Sequence, residues 1–165
     1  MAEIAPLTLA SANTYRSDHT FMNEWSLRGG TTMPSAEDRE QLEELERRQI
    51  ASWGRDGAAF AATFTEDADL VDVMGGHYRG RASIEATMTE GFAGFMAGTR
   101  MSAPTERTVD FISADTAVVV TSGNCILRND ETRCRAEDLS IQTKVAVRVG
   151  GEWLFRTFQN TRVMS

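Results

Sequence analysis

Asp72 is the residue whose setting in this sequence asks for a chemical explanation. It lies in the run FTEDADLVDVM, residues 64–74, between Val71 and Val73, with Leu70 and Met74 two positions away on either side. On an extended strand, residues 70, 72 and 74 share one face while 71 and 73 share the other. Both faces are apolar except at Asp72. A carboxylate in an apolar space without partners takes up a proton more readily than one in water, and can serve as base toward a weakly acidic carbon or hydroxyl. The structural alternative is an Asp bonded to backbone amides, or paired with Arg79 or Arg81. The other acids of the run, Glu66, Asp67 and Asp69, read as turn and strand-edge residues.

A second polar residue stands where an apolar one is expected. Gln49 shares a helical stripe with Leu42, Leu45 and Trp53, so its amide either satisfies a buried backbone group or is offered to a ligand. Thr157 and Gln159 share a strand face with Trp153 and Phe155. That fits a cavity lined by aromatics with a few polar anchors, or a strand end emerging into solvent. Trp53, Leu70, Met74, Tyr78 and Phe92 complete the set expected to line a pocket around Asp72. His77 follows two glycines and reads as a loop residue near the pocket mouth rather than as a catalyst.

No metal or cofactor is expected. The chain has only two histidines, too few for a His-rich triad, and its acids show no ligand motif. It contains no Walker loop, GxGxxG, GxSxG or HExxH, which removes nucleotide, Rossmann, hydrolase and zinc-protease readings.

The elements that position these residues follow from periodicity. Residues 1–34 mix Ser, Thr and Asn with scattered apolars, show no clean period, and read as an extension or arm anchored by Phe21 and Trp25. A start at Met33 is the alternative. Ser35 caps a helix, with Asp38 as its capping-box partner, and Gly54 ends it. A second short helix follows Asp56 and presents Phe60 and Phe64. A turn at 65–67 and a strand over about 69–74 come next. Gly75-Gly76 turns the chain into a short return strand at 77–79. A helix over about 82–97 carries Ile84, Met88, Phe92 and Phe95/Met96 on one side.

From Arg100 the period changes to 2, giving strands at about 101–112, 116–127, 137–149 and 152–163. In the third of these, Leu139, Ile141, Thr143, Val145, Val147 and Val149 form one face. Ser140, Gln142, Lys144 and Arg148 form the other. Helices followed by antiparallel strands predict an α+β fold with helices packed on one face of a sheet.

At 165 residues the chain is expected to form one main domain, over 35–165. No apolar run approaches the ~20 residues of a membrane span, and Glu3 argues against a signal peptide. The net charge of −7 argues against nucleic acid or an anionic membrane as partner. Cys125 and Cys134 would face each other if Asn129-Asp130 is a hairpin turn. Two reduced thiols in a cytoplasmic protein are expected over a cross-strand bond.

The order of parts resembles a known family. The segments ASWGRDG (51–57), FAATFTEDAD (60–69), YRGRASI (78–84) and WLFRTFQNTRV (153–163), with LSIQT at 139–143, are similar to the SnoaL-like branch of the nuclear-transport-factor-2-like superfamily, and within it to the SgcJ/EcaC family. The likeness spans about 36–164. It implies a cone of three helices on a curved, mixed but mainly antiparallel sheet, the cystatin-like arrangement, enclosing a pocket at its wide end. It also implies homodimerisation through the sheets and a role in enediyne or other polyketide antibiotic biosynthesis, on a hydrophobic small-molecule intermediate. The superfamily includes ketosteroid isomerase, whose catalytic aspartate falls on Asp72, its oxyanion-hole tyrosine on Gln49, and its cavity tryptophan near Gln159. Two functions remain open. One is a cofactor-independent isomerase or cyclase with Asp72 as base; the other is a non-catalytic dimeric binding or accessory protein.

Overall fold

Ser35 and Asp38 start the first helix by a reciprocal pair of bonds. The Ser35 hydroxyl accepts from the Asp38 amide at 3.1 Å, and the Asp38 carboxylate accepts from the Ser35 amide at 2.8 Å, satisfying two of the donors that a helix start leaves open. The computed structural model describes residues 34–164. The expected extension, with Phe21, Trp25 and Met33, falls outside them apart from Pro34. Helix α1 covers Ala36–Ser52. Gly54, at φ +70°, turns the chain away where a Cβ would stand 2.0 Å from the carbonyl oxygen of Thr99. Helix α2, Gly57–Ala61, is capped by Asp56, which accepts from the Ala59 amide at 2.9 Å.

Eight strands and a third helix follow: β1 (Phe64–Val71), β2 (His77–Arg79), α3 (Arg81–Ala93), β3 (Arg100–Met101), β4 (Glu106–Ser113), β5 (Thr116–Asn124), β6 (Ile126–Leu127), β7 (Ser140–Val149) and β8 (Glu152–Arg162). Six form one sheet in the order β2-β1-β8-β7-β5-β4, antiparallel except where β1 lies parallel to β8. Strands β3 and β6 pair separately. The fold is α+β, with three helices and a mixed, mainly antiparallel sheet, as expected. Among the described residues no helix is long and apolar enough to cross a membrane.

Several boundaries differ from the expectation. Residues 65–67 belong to β1, and the strand stops at Val71, so Asp72 is not on it. Helix α3 ends at Ala93, and Gly94 caps it. Phe95 therefore leaves the buried stripe of Ile84, Met88 and Phe92 and is 88% exposed. The strand expected at 101–112 breaks around Pro104, which has no N–H for a ladder. The strand expected at 116–127 shifts register with β7 between Ser122 and Asn124 and breaks after Asn124. Residues 136–138 form a 3₁₀ turn before β7.

The cysteines are joined, not free. The amide of Glu131 donates to the carbonyl of Arg128 at 2.7 Å, closing the turn at Asn129-Asp130. The chain then returns with the Cα atoms of Cys125 and Cys134 5.8 Å apart, and a disulfide links them.

Of the two faces of β7, the polar one points inward. Ser140, Gln142 and Lys144 are buried, whereas Ile141 is 41% and Val149 52% exposed. Lys144 is tolerated because Glu46 of α1 lies 3.1 Å from its ammonium and also pairs with Arg107 of β4. The rings of Phe155 and Phe158 lie beneath the ammonium at 5.3 and 5.7 Å. Burial still pushes the Lys144 ammonium below the usual lysine range, with Glu46 opposing the shift. At the other end of α1, Asp38 pairs with Arg148, and the Trp153 ring N–H reaches it at 3.4 Å.

Removing one charge from the buried pair should cost far more than removing both. Lys144→Met is expected to lose about 3 kcal/mol of unfolding free energy in urea, and adding Glu46→Gln to recover part of it; strictly additive losses would rule out the coupling. The Asp38 carboxyl lies below its ordinary range, chiefly through the Ser35 amide. Its contribution is therefore complete above the unfolded value of about 3.9 and lost as pH falls through the lower folded value. Melting curves of the protein and Asp38→Asn should differ at pH 7 and converge toward pH 2.

Candidate functional site

A cavity of about 350 Å³ opens between the helices and the ends of β1 and β8. Its walls are mainly apolar: Trp53, Phe60, Leu70, Met88, Met101 and Phe158. An aromatic cluster backs them, with Trp53 meeting Phe60 at 5.7 Å and Phe92 at 5.4 Å, both edge-on. The Trp53 ring N–H is spent on the Thr99 hydroxyl at 3.1 Å, so the indole presents its hydrocarbon to the cavity. Met74 and Phe95, both more than four-fifths exposed, also line it.

Asp72 belongs to this lining, held by a turn rather than a strand. Its amide donates to the Gly76 carbonyl at 2.9 Å, and its carbonyl accepts from the Gly75 amide at 3.1 Å. One carboxylate oxygen, Oδ1, accepts from the amides of Met74 and Gly76, each at 2.8 Å. The other, Oδ2, accepts from the Tyr78 hydroxyl at 3.0 Å. The group is half-exposed rather than enclosed by apolar neighbours. Gly76 is required for this arrangement, since a Cβ there would stand 2.5 Å from Oδ2 and 2.7 Å from the Tyr78 oxygen. The bond to Asp72, followed by burial, pushes the Tyr78 phenol above its ordinary range. Tyr78 is thus a donor at neutral pH. A carboxylate has about four lone-pair sites, so three donors leave Oδ2 room for one more partner from the cavity.

Neither arginine considered as a partner of Asp72 is one. Arg79 lies 3.6 Å from Asp69, and Arg81 pairs with Glu66 and donates to the Phe64 carbonyl. His77 sits outside the lining, 2.8 Å from Asp69. That bond, and then one from Arg156, hold the Asp69 carboxyl below its ordinary range.

The residues predicted to surround Asp72 are divided by the structure. Trp53, Leu70, Met74 and Tyr78 line the cavity with it. Phe92 lies behind the wall, packed on Trp53 and Phe60. Gln49 is fully buried one turn from Trp53, not on the lining, and neither amide atom has a hydrogen-bond partner among the described residues. Thr157 and Gln159 are not on the lining either. The reason is one extra residue: Val145 pairs with Thr157 but Ala146 with Phe155, so Arg156 is a bulge. After it, Phe158 is buried, Asn160 and the exposed Arg162 reach the cavity lining, and Thr157 and Gln159 join the outer face.

Sequence reasoning missed Asn160, Arg162, Arg128, Asp138 and Ser140, all on the lining. One signal was available for the β8 residues. The buried aromatics Trp153, Phe155 and Phe158 are spaced two, then three, as a bulge requires. Arg128 and Asp138 come from irregular segments that periodicity does not reach. A second, shallow depression runs along α3 between Ala82 and Ala93; small side chains and two glutamates line it, and it gathers no constellation. Among the described residues no three His, Cys, Asp or Glu side chains are placed to hold a metal ion.

Comparisons place this geometry among known folds. Among curated proteins, none matches the chain. The structure is similar to a domain of unknown function with a cystatin-like fold from Nostoc punctiforme, at 26% identity over 79% of this chain and 80% of that one, with a TM-score of 0.72. It is similar to the protein Aln2 from a Streptomyces species, at 22% identity over 79% and 94%, TM-score 0.64. It is also similar to a Novosphingobium aromaticivorans protein provisionally designated a scytalone dehydratase, at 21% identity over 77% and 85%, TM-score 0.62. The last two likenesses speak to the fold alone. A family model described as a SnoaL-like domain matches residues 34–159, which include α1, the Asp72 turn and most of β8, and the chain belongs to the SnoaL-like domain family.

Proposed function

We propose that the chain binds a hydrophobic, polyketide-type intermediate in the cavity and promotes its isomerisation or cyclisation through proton transfer at Asp72, in the manner of an SgcJ/EcaC-like protein of enediyne or related antibiotic biosynthesis. The observation that carries this reading is a carboxylate on the wall of a mainly apolar cavity, fixed by two backbone amides and Tyr78. Fixed donors orient a base without reorganisation during reaction. Oδ2 accepts a proton from an acidic C–H or O–H of the ligand and returns it to another ligand atom, so no oxidant or cofactor is consumed. The protonated Tyr78 phenol stays beside that oxygen throughout. Nucleic acid and membrane have no part in this reading. It sets the protein in the cytoplasm, where the Cys125–Cys134 bond would meet reducing thiols.

A second reading is a non-catalytic binding or accessory protein, favoured by the work Asp72 already does in closing its turn. Asp72→Asn separates the two. The amide keeps an oxygen for the turn and loses the base. Conversion of a pathway extract, followed by mass spectrometry, should fall by roughly 10²-fold while native mass spectra still show bound ligand. Unchanged conversion would leave only the binding role.

The outer face of the sheet supports a homodimer. Ile141 and Val149 are exposed there, and Val118 and Val145 stand opposite each other across β5 and β7. Ile141→Lys should shift a dimer to monomer in sedimentation without lowering the melting temperature of the isolated fold; a monomeric unaltered protein would exclude this interface.

A further inference from the structure

We propose that the cavity selects a singly charged anion, an apolar body ending in a carboxylate-type head group, and that Arg128 and Arg162 hold that head group. The inference rests on the reading of the cavity as a ligand site and names the chemistry of its ligand. Four charged side chains line the cavity: Asp72, Arg128, Asp138 and Arg162. The two acids are already engaged, Asp72 by its three donors and Asp138 by Arg135 at 3.0 Å. The two arginines are not. Among the described residues both are exposed and neither guanidinium has a carboxylate within ion-pair distance; Arg39, Arg48, Arg55, Arg100 and Arg133 share that state, but only Arg128 and Arg162 line the cavity. Glu131, in the turn that follows Arg128, accepts from the Arg128 backbone amide and gives its other oxygen to Arg135.

In a chain with 24 acids and 17 basic residues, two unmatched guanidinium groups on one cavity are opposite to the general excess. Their surroundings suit a head group. Arg162 stands opposite Ser140 in the β7–β8 register, and Asn160 lies two residues before it on the same face of the strand, part-buried where Arg162 is exposed. The Asn160 side-chain oxygen is buried and has no partner among the described residues, a polar atom on the lining that is still unsatisfied. Guanidinium groups bind carboxylates by paired, charge-assisted bonds. Because Asp138 is already neutralised by Arg135, the two arginines outweigh Asp72 by one charge, which matches a monoanion better than a dianion.

The test uses three ten-carbon probes on the full chain by calorimetry: decanoate, 1-decanol and decyl phosphate. Decanoate should bind at least tenfold more tightly than 1-decanol, about 1.4 kcal/mol, since hydrogen bonds to a charged group are stronger than those to a neutral one. The double variant Arg128→Met/Arg162→Met should erase that difference and leave 1-decanol affinity unchanged, with an unaltered melting curve showing that it folds. Equal binding of decanoate and 1-decanol, or a double variant that still prefers decanoate, overturns the assignment of charge while the apolar site stands. Decyl phosphate binding tenfold tighter than decanoate at pH 8 overturns the preference for a monoanion. Binding of none of the three overturns the ligand-site reading itself, and this inference with it.

Discussion

Lys144 enters the interior from the middle of β7, and α1 has to lie where Glu46 can meet it. A buried ammonium without a counter-charge costs several kcal/mol, so this pair sets where the helix lies along the sheet. Arg107 on β4 fastens the same carboxylate from the far side. Asp38 and Arg148 repeat the arrangement near the start of α1. With the helix pinned at both places, Trp53 arrives at its C-terminal end as one wall of the cavity. The polar interior is thus a positioning device, and the aromatic cluster fills the space it defines.

The cavity itself is a product of irregularity. The end of β1, the turn at 72–76 and the bulge at Arg156 each interrupt a regular ladder, and each interruption supplies a group to the lining. Backbone amides that a longer strand would have paired turn instead toward the Asp72 carboxylate. Unpaired donors must find partners when they are covered, and here a side chain in the cavity wall supplies one. The two amide hydrogen bonds close the turn and, with the Tyr78 hydroxyl, hold the carboxylate on the cavity wall, so the proposed proton transfer and simple anchoring call for one geometry.

The outer face shows the complementary consequence. Because β7 turns Ser140, Gln142 and Lys144 inward, its valines and Ile141 turn out. An apolar sheet face in water favours cover by a second surface, and placing Thr157 and Gln159 on it adds polar groups able to bond across such a contact. One bulge on β8 therefore determines both the cavity floor and the composition of the opposite face.

Much of this molecule is legible in its sequence because the causes are local. Ser35 and Asp38 cap a helix three residues apart, Asp56 caps the next, Gly75-Gly76 reverses the chain, and the change of period after Arg100 announces the sheet. Such features depend on backbone preferences and neighbours a turn away. The partners of Asp72, the inward turn of β7's polar face, the bulge at Arg156 and the meeting of Cys125 with Cys134 were decided by the tertiary structure. Each depends on contacts between segments distant in sequence or on where regular pairing fails. A strand's alternation shows that it has two faces; which face is buried depends on the charges waiting on the helix above it.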